Sequence, residues 1–149
     1  MTPPFDLSAF LPYQLATAAA RISRGFAERY RTEFGLSIPE WRVLAHLAQS
    51  GAVSVREIQA RVDMDKSKVS RAAARLQSAG LIAKRANVAD RRLLDMRLTD
   101  AGRALMLRIL PVADAYQAEV LAQLGPDAEP FRRALARLRE MGEGDDNPA

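Results

Sequence analysis

The stretch that decides the fold runs from Ser54 to Thr99 and reads SVREIQARVDMDKSKVSRAAARLQSAGLIAKRANVADRRLLDMRLT. Ser54 followed by Glu57 is a helix-start signal, because each side chain can bond the other residue's backbone N–H. Asp63-Met64-Asp65 predicts a tight turn. The helical spacing of apolar residues beyond it predicts a second helix that stops at Gly80. The stretch is therefore expected to form two short helices followed by a charged hairpin.

The second of these helices has two chemically different faces. Its inner stripe is expected to be Val69, Ala72, Ala73 and Leu76, and Asp65 is expected to cap its start. Small polar and basic side chains remain outside, and such a helix fits the major groove of DNA, which is about 12 Å wide. These outer residues are Lys66, Ser67, Lys68, Ser70, Arg71 and Arg75, of which the last is predicted to contact a backbone phosphate.

The hairpin carries charge at its tip. Leu81–Arg85 and Leu94–Leu98 are predicted strands, and residues 86–92 connect them. The tip contains Asp90, Arg91 and Arg92. An arginine on a thin hairpin can enter a narrow, A·T-rich minor groove, and an adjacent acid can orient its guanidinium. Both arginines are candidates for this role.

Amphipathic helices are predicted before this stretch. Apolar residues recur at helical spacing from Pro12 until Gly35, which supplies a stop. Ser37 with Glu40 starts a second helix that ends at Ser50-Gly51, and Ala52-Val53 follows as a short strand. Residues 1–10 are predicted to form an extended arm with apolar side chains that dock on another surface.

Two more helices are predicted after the hairpin. Thr99 is expected to cap a long helix that kinks at Pro111, since proline removes a backbone hydrogen bond and crowds the preceding turn. A last helix is predicted to begin at Pro130, and residues 142–149 are predicted to be disordered. The fold class is thus mainly α with a small β-wing.

The composition narrows the classes of function. Residues 54–92 hold ten Lys and Arg against four Asp and Glu, so the positive charge of a chain with net charge +4 is concentrated in one block, as polyanion binding requires. Without cysteine there are no thiolate ligands, and a single histidine, His46, does not predict a metal site. No nucleophile elbow or phosphate loop is present, so neither an enzyme nor a cofactor is expected.

The ends and apolar runs favour a cytoplasmic protein. The first ten residues lack the basic and apolar regions of a secretory signal. The longest uncharged run, residues 7–20, is shorter than the roughly 20 residues that a membrane helix needs. No membrane partner is expected.

The residues from Asp90 to Thr99 resemble the wing motif of the MarR family of bacterial transcription regulators, D-x-R followed by an alternating strand and L-T, with Gly102 also in register. Val69-Ser70-Arg71 and Gly80-Leu81-Ile82 are similar to the family's recognition helix and first wing strand. The resemblance implies a winged helix-turn-helix domain over 37–99. It also implies a dimerisation helix with its arm over 1–36 and C-terminal dimerisation helices over 100–141.

The resemblance implies an obligate homodimer that places two recognition helices in successive major grooves of a pseudo-palindrome. It also implies a repressor relieved by a small aromatic or phenolic ligand, for which Tyr13, Trp41 and His46 are candidate contacts. An architectural DNA-binding protein without effector and a helical adaptor without DNA remain open alternatives. The predicted DNA contacts are Ser54, Lys66, Ser67, Lys68, Ser70, Arg71, Arg75, Asp90, Arg91 and Arg92.

Overall fold

The structure is a computed structural model that describes residues 3–62 and 64–141. The predicted disorder of residues 142–149 and the place of Asp63 in the predicted turn lie outside these residues. The helices are α1 (Leu11–Phe34), α2 (Ile38–Ser50), α3 (Val55–Val62), α4 (Lys66–Ser78), α5 (Asp100–Leu124) and α6 (Ala128–Glu140). The strands are β1 (Val53–Ser54), β2 (Ile82–Ala86) and β3 (Leu94–Leu98), and short 3-10 turns cover Leu7–Ala9 and Gly125–Asp127.

Capping side chains stand at the starts of α2 and α5. The Ser37 hydroxyl oxygen accepts a hydrogen bond from the Glu40 backbone N–H at 3.3 Å, and the Ser37 hydroxyl donates to the Glu40 carboxylate at 2.9 Å. Thr99 Oγ1 accepts from the Gly102 N–H at 3.1 Å at the start of α5. Gly35 ends α1 in the left-handed conformation, with φ 68°. The predicted caps of α2 and α5 and the predicted stop of α1 are confirmed.

Several predicted boundaries were wrong by one or two residues. α6 begins at Ala128 and not at Pro130, because the N–H groups of a first helical turn have no partner within the helix and proline is tolerated there. β1 begins at Val53 rather than Ala52, since Val53 is the residue that pairs with Met96. β2 likewise begins one residue after Leu81.

Two local expectations need correction, and a third is not tested. Asp65 occupies the cap position of α4 but makes no capping hydrogen bond with its side chain. The N-terminal arm is not fully extended: Asp6 accepts from the Ser8 N–H at 3.0 Å and starts the first 3-10 turn. α5 continues through Pro111, and the kink there stays a prediction.

The three strands form one antiparallel sheet in the order β1-β3-β2. Met96 of β3 pairs with Val53 on one side and with Lys84 on the other, and Ile82 pairs with Leu98. Ile82, Met96 and Leu98 are buried, which places the inner face of the wing on the helical core. On the opposite face Arg85, Asp95 and Arg97 are polar, as expected for a sheet with one wet face.

The described chain forms two compact units, one ending at Val112 and the other beginning at Ala113. The first contains the whole cluster of buried apolar side chains, with Leu44 and Leu47 of α2 and Val69 and Leu76 of α4 among its fully enclosed members. In the second, no described residue up to Met141 is buried. The large side chains that it exposes include Phe131, Leu138 and Met141.

The start of α5 lies directly against the turn that follows α4. The Thr99 N–H donates to the Leu81 carbonyl at 3.0 Å, and the Thr99 hydroxyl donates to the Gly80 carbonyl at 2.6 Å. Gly102 lies so close that an added Cβ would stand 2.1 Å from the Leu81 oxygen. The absence of a side chain at Gly102 is what allows this approach.

Candidate nucleic-acid interface

The outer face of α4 is exposed, and most of its polar side chains are unpaired. The inner stripe Val69, Ala72, Ala73 and Leu76 is buried as predicted, so the remaining side chains turn to solvent. Within residues 3–62 and 64–141, no hydrogen bond or ion pair occupies the side chains of five predicted DNA contacts. They are Lys66, Ser67, Lys68, Ser70 and Arg71. Donors left without a partner on one exposed helix face are available to an external acceptor.

A basic cleft of about 350 Å³ separates the start of α3, the outer face of α4 and the wing. It brings together four residues predicted as DNA contacts from three separate elements. The cleft is lined by Ser54, Val55, Arg56, Gln59, Lys66, Ser70, Lys84, Arg92, Leu93 and Leu94. Four cationic side chains around one cleft create a positive potential that favours an anion such as a phosphate.

Sequence reasoning missed three polar residues of this cleft. Arg56, Gln59 and Lys84 were part of the basic block or lay beside it, but their spacing does not show which face they occupy. Lys84 belongs to β2 and reaches the cleft only because β2 pairs with β3 across the wing. The alternation of β2 was the one signal that could have indicated its side.

Ser54 is the least accessible predicted contact. It is buried, at 5% relative exposure, and its hydroxyl oxygen accepts from the Glu57 N–H at 3.1 Å. The Glu57 carboxylate turns instead to Arg61, 3.8 Å away. Ser54 therefore caps α3 at the floor of the basic cleft, and its part in DNA contact stays a prediction.

The wing tip holds one arginine in a fixed orientation. Arg92 donates from Nε to Asp90 Oδ1 at 3.1 Å and from Nη2 to Asp90 Oδ2 at 3.2 Å, and its backbone N–H bonds Oδ1 at 3.1 Å. The Arg92 side chain is nevertheless 90% exposed. The hydrogen bonds from Arg92, aided by the charge of Arg56, lower the pKa of the Asp90 carboxyl. Across the described chain Arg91 has no such partner.

Asn87 organises the loop that carries this pair. Its amide nitrogen donates to both Asp95 oxygens, at 3.1 and 3.0 Å, and its amide oxygen accepts from the N–H groups of Ala89 and Asp90, at 2.8 and 2.9 Å. Such a turn around one amide replaces backbone bonds that a hairpin tip lacks. Asp90 thus receives its position from Asn87, a residue that spacing alone did not single out.

Arg75 lies on the exposed side of α4 but is already engaged. Its Nε donates to Glu40 Oε1 of α2 at 2.8 Å. The Glu40 side chain is 13% exposed and the Arg75 side chain 53%. Its predicted phosphate contact therefore competes with a bond inside the protein.

The three predicted effector contacts are dispersed. Trp41 packs in an aromatic cluster, with ring centroids 5.1 Å from Phe26 and 5.8 Å from Tyr30. His46 is half-buried, and burial together with the charge of Arg61 lowers its pKa. It follows Trp41 by five residues and so points about 140° away around α2. Tyr13 is exposed on the first turn of α1.

A second cavity, the apolar cavity, lies between the end of α2, the sheet and the first half of α5. Its volume is about 510 Å³, and none of the three predicted effector contacts lines it. Its walls are mostly aliphatic with two arginines at the edge. They are Leu47, Ala48, Gly51, Ala52, Arg97, Leu98, Arg103, Met106, Leu107 and Leu110. Such a lining suits a small molecule with an apolar body and an anionic end.

Among the described residues no three His, Asp or Glu side chains gather in a metal-binding arrangement. In the same part of the chain, no helix combines the length and apolar character that crossing a bilayer requires.

An exposed polar and basic helix beside a charged two-stranded wing defines a winged helix-turn-helix DNA-binding domain. Residues 34–93 match the family model described as the MarR family. The transcriptional repressor Rv2887 of Mycobacterium tuberculosis is 35% identical over 105 residues, which cover 70% of this chain and 76% of that protein. The chain belongs to the MarR family and is a transcription regulator.

Three solved structures are similar to this chain over nearly its whole length. SPO1453, a MarR-family regulator of Silicibacter pomeroyi, is 29% identical with a TM-score of 0.80, covering 93% of this chain and 98% of that one. BpsR of Bordetella bronchiseptica, whose DNA binding is regulated by 6-hydroxynicotinic acid, is 27% identical with a TM-score of 0.79, covering 95% and 99%. Rv2887 was solved in complex with p-aminosalicylic acid; it is 31% identical with a TM-score of 0.70, covering 87% and 98%.

Proposed function

We propose that this chain is a homodimeric repressor that binds a pseudo-palindromic operator and is released from it by a small aromatic anion. The observation that carries the proposal is the set of unpaired polar and basic side chains on α4, beside a wing arginine that Asp90 already orients. A surface prepared in this way has few internal bonds to break when it meets DNA.

Two grooves would be contacted by different elements. α4 enters the major groove, where Arg71 reads a guanine edge and Ser70 allows close approach of the backbone. Arg92 enters the adjacent minor groove, since its exposed guanidinium is the one held in place at the wing tip. The basic cleft between them receives a backbone phosphate, with Arg56 and Lys84 as added donors.

Exposed apolar side chains support the dimer. The N-terminal arm and first half of α1 expose Phe5, Leu11 and Ile22, and the second unit exposes Phe131 and Met141. Monomeric proteins seldom leave large apolar patches in water. A second copy of the chain covers these residues and sets the two recognition helices about one DNA turn, roughly 34 Å, apart.

The apolar cavity is the effector site of this proposal. The molecules named with BpsR and Rv2887 are both aromatic carboxylic acids. An aromatic ring would lie among Leu47, Met106 and Leu110, with the carboxylate near Arg97 or Arg103. Because the cavity contacts both β3 of the wing and α5, a bound ligand favours one arrangement of these elements over another.

The experiment is selection of bound duplexes from a random pool, followed by titration at fixed salt. We expect the selected palindrome to bind at least about 10³-fold more tightly than random duplex, and the Arg71→Ala variant to lose about 1–3 kcal/mol at the palindrome only. Equal affinity for both duplexes would indicate an architectural protein. An Arg71→Ala loss of equal size on both duplexes would make Arg71 a phosphate contact.

The effector is tested on the same complex. p-Aminosalicylic acid and 6-hydroxynicotinic acid should weaken operator binding, and Ala48→Phe, which fills the apolar cavity, should abolish this response while leaving operator affinity unchanged. Release of the Ala48→Phe variant at the same ligand concentration as the unaltered protein would place the effector elsewhere.

A further inference from the structure

We infer that Arg75 is a positioning residue, which fixes the rotation of the recognition helix α4 through Glu40 and does not contact DNA phosphate. The inference rests on the proposed operator binding and assigns a different role to one of its predicted contacts. It depends on three features: the geometry of the ion pair, the second bond of Glu40, and the small side chains under α4.

The ion pair joins two helices, and its carboxylate is sheltered from water although the Arg75 side chain is 53% exposed. Arg75 Nε stands 2.8 Å from Glu40 Oε1, across 35 residues of sequence. A useful comparison is Glu57 with Arg61 on α3, where the charged atoms are 3.8 Å apart and both side chains are about half exposed. The Glu40 side chain is only 13% exposed. A short pair with one sheltered partner is less screened by salt than an exposed pair.

Glu40 is held from its other side as well. Its Oε1 also accepts from the Ser37 hydroxyl at 2.9 Å, and Ser37 caps the first turn of α2. The next residue, Trp41, stacks on Tyr30 and meets the edge of Phe26. The carboxylate that Arg75 binds is therefore part of a rigid helix start and not a mobile surface group.

The packing beneath α4 restrains rotation of this helix about its own axis only weakly. The bond from Arg75 to Glu40 can therefore decide that rotation. The buried stripe of α4 has alanine at positions 72 and 73, between Val69 and Leu76. A methyl group has no side-chain torsions and interlocks less with a facing helix than a longer side chain does. Rotation of α4 about its axis decides whether Ser70 and Arg71 face the groove, and the directional bond from Arg75 resists that rotation.

The test compares Glu40→Gln, Arg75→Ala and the double variant by titration against the selected operator. Glutamine keeps an acceptor for Ser37 but loses the charge that Arg75 needs. We expect each single change to weaken operator binding by about two- to fivefold, the range of a partly exposed ion pair, and the double variant to be no weaker than the singles. The salt dependence of binding should keep the slope of the unaltered protein.

A phosphate contact by Arg75 would predict opposite changes in operator affinity. If Arg75 binds phosphate, Glu40→Gln frees it and tightens binding, and Arg75→Ala lowers the salt slope by about 0.9; either result overturns the inference. Glu57→Gln is the matched control, because it removes the same charge from the exposed pair, and it should not weaken operator binding. Failure of the unaltered protein to prefer the selected duplex would instead refute the proposed function.

Discussion

Replacing Gly102, in the first turn of α5, by alanine should destabilise the protein, which is opposite to the usual effect of this change in a helix. Replacing a helical glycine by alanine ordinarily stabilises a protein by about 1 kcal/mol. Here an added Cβ would lie 2.1 Å from the Leu81 carbonyl oxygen and 3.1 Å from its carbon. Both are backbone atoms that cannot rotate away. Gly102→Ala therefore pushes the start of α5 away from the turn after α4 by about 1 Å.

The cost follows from the bonds at that contact. Overpacking of this kind costs about 1–3 kcal/mol. The same displacement stretches the bonds from the Thr99 N–H to Leu81 and from the Thr99 hydroxyl to Gly80, each worth about 0.5–1.5 kcal/mol. After the gain in helix propensity, Gly102→Ala should lower the free energy of unfolding by about 2 kcal/mol, and Tm by roughly 4–8 °C.

Thermal and urea unfolding, followed by circular dichroism, measure this change. Ala101→Gly is the matched control, since it exchanges the same two residue types at an exposed neighbouring position and should cost no more than about 1 kcal/mol through helix propensity. A Gly102→Ala variant more stable than the unaltered protein would refute the steric argument.

Three further predictions concern the wing and α2. Arg92→Ala should weaken binding most at operators with A·T base pairs under the wing, whereas Arg91→Ala should act equally on all duplexes; equal base dependence of the two variants in titrations would remove the distinction between them. Asn87→Asp puts a second carboxylate against Asp95, so hydrogen exchange at the wing-tip amides should speed up, and unchanged protection would show that the amide bonds are dispensable. Because the fold lowers the pKa of His46, the unfolded chain binds more protons, and the free energy of unfolding should fall as the pH drops below about 6.5. Urea unfolding should show a smaller fall for His46→Gln, and an identical pH profile would assign the fall to other groups.

Sequence reasoning reached the features that depend on neighbouring residues. The caps at Ser37 and Thr99 and the stop at Gly35 were predictable, because a hydroxyl or a missing Cβ acts within one turn of the chain. The buried stripe of α4 followed from helical spacing alone. The two hairpin strands followed from their alternating pattern, and the family resemblance identified the hairpin as a wing.

Features that join distant segments were not predictable. Glu40 and Arg75 lie 35 residues apart, and no local pattern connects them. Lys84 reaches the basic cleft only through the register of the sheet. Asn87 lies in the predicted connection of the hairpin, but its role depends on Asp95, which returns beside it on β3. The apolar cavity likewise joins α2, β3 and α5, whereas the effector candidates were named on α1 and α2.

The separation of α4 into a buried stripe and an unbonded outer face has a consequence for evolution and engineering. Side chains such as Lys66, Ser70 and Arg71 support nothing inside the described part of the chain, so they can be exchanged with little penalty to folding. If α4 reads the operator as proposed, new operator preferences should be accessible by substitution at these positions. Arg75 is the exception on this helix, and a library that randomises the outer face should leave it unchanged.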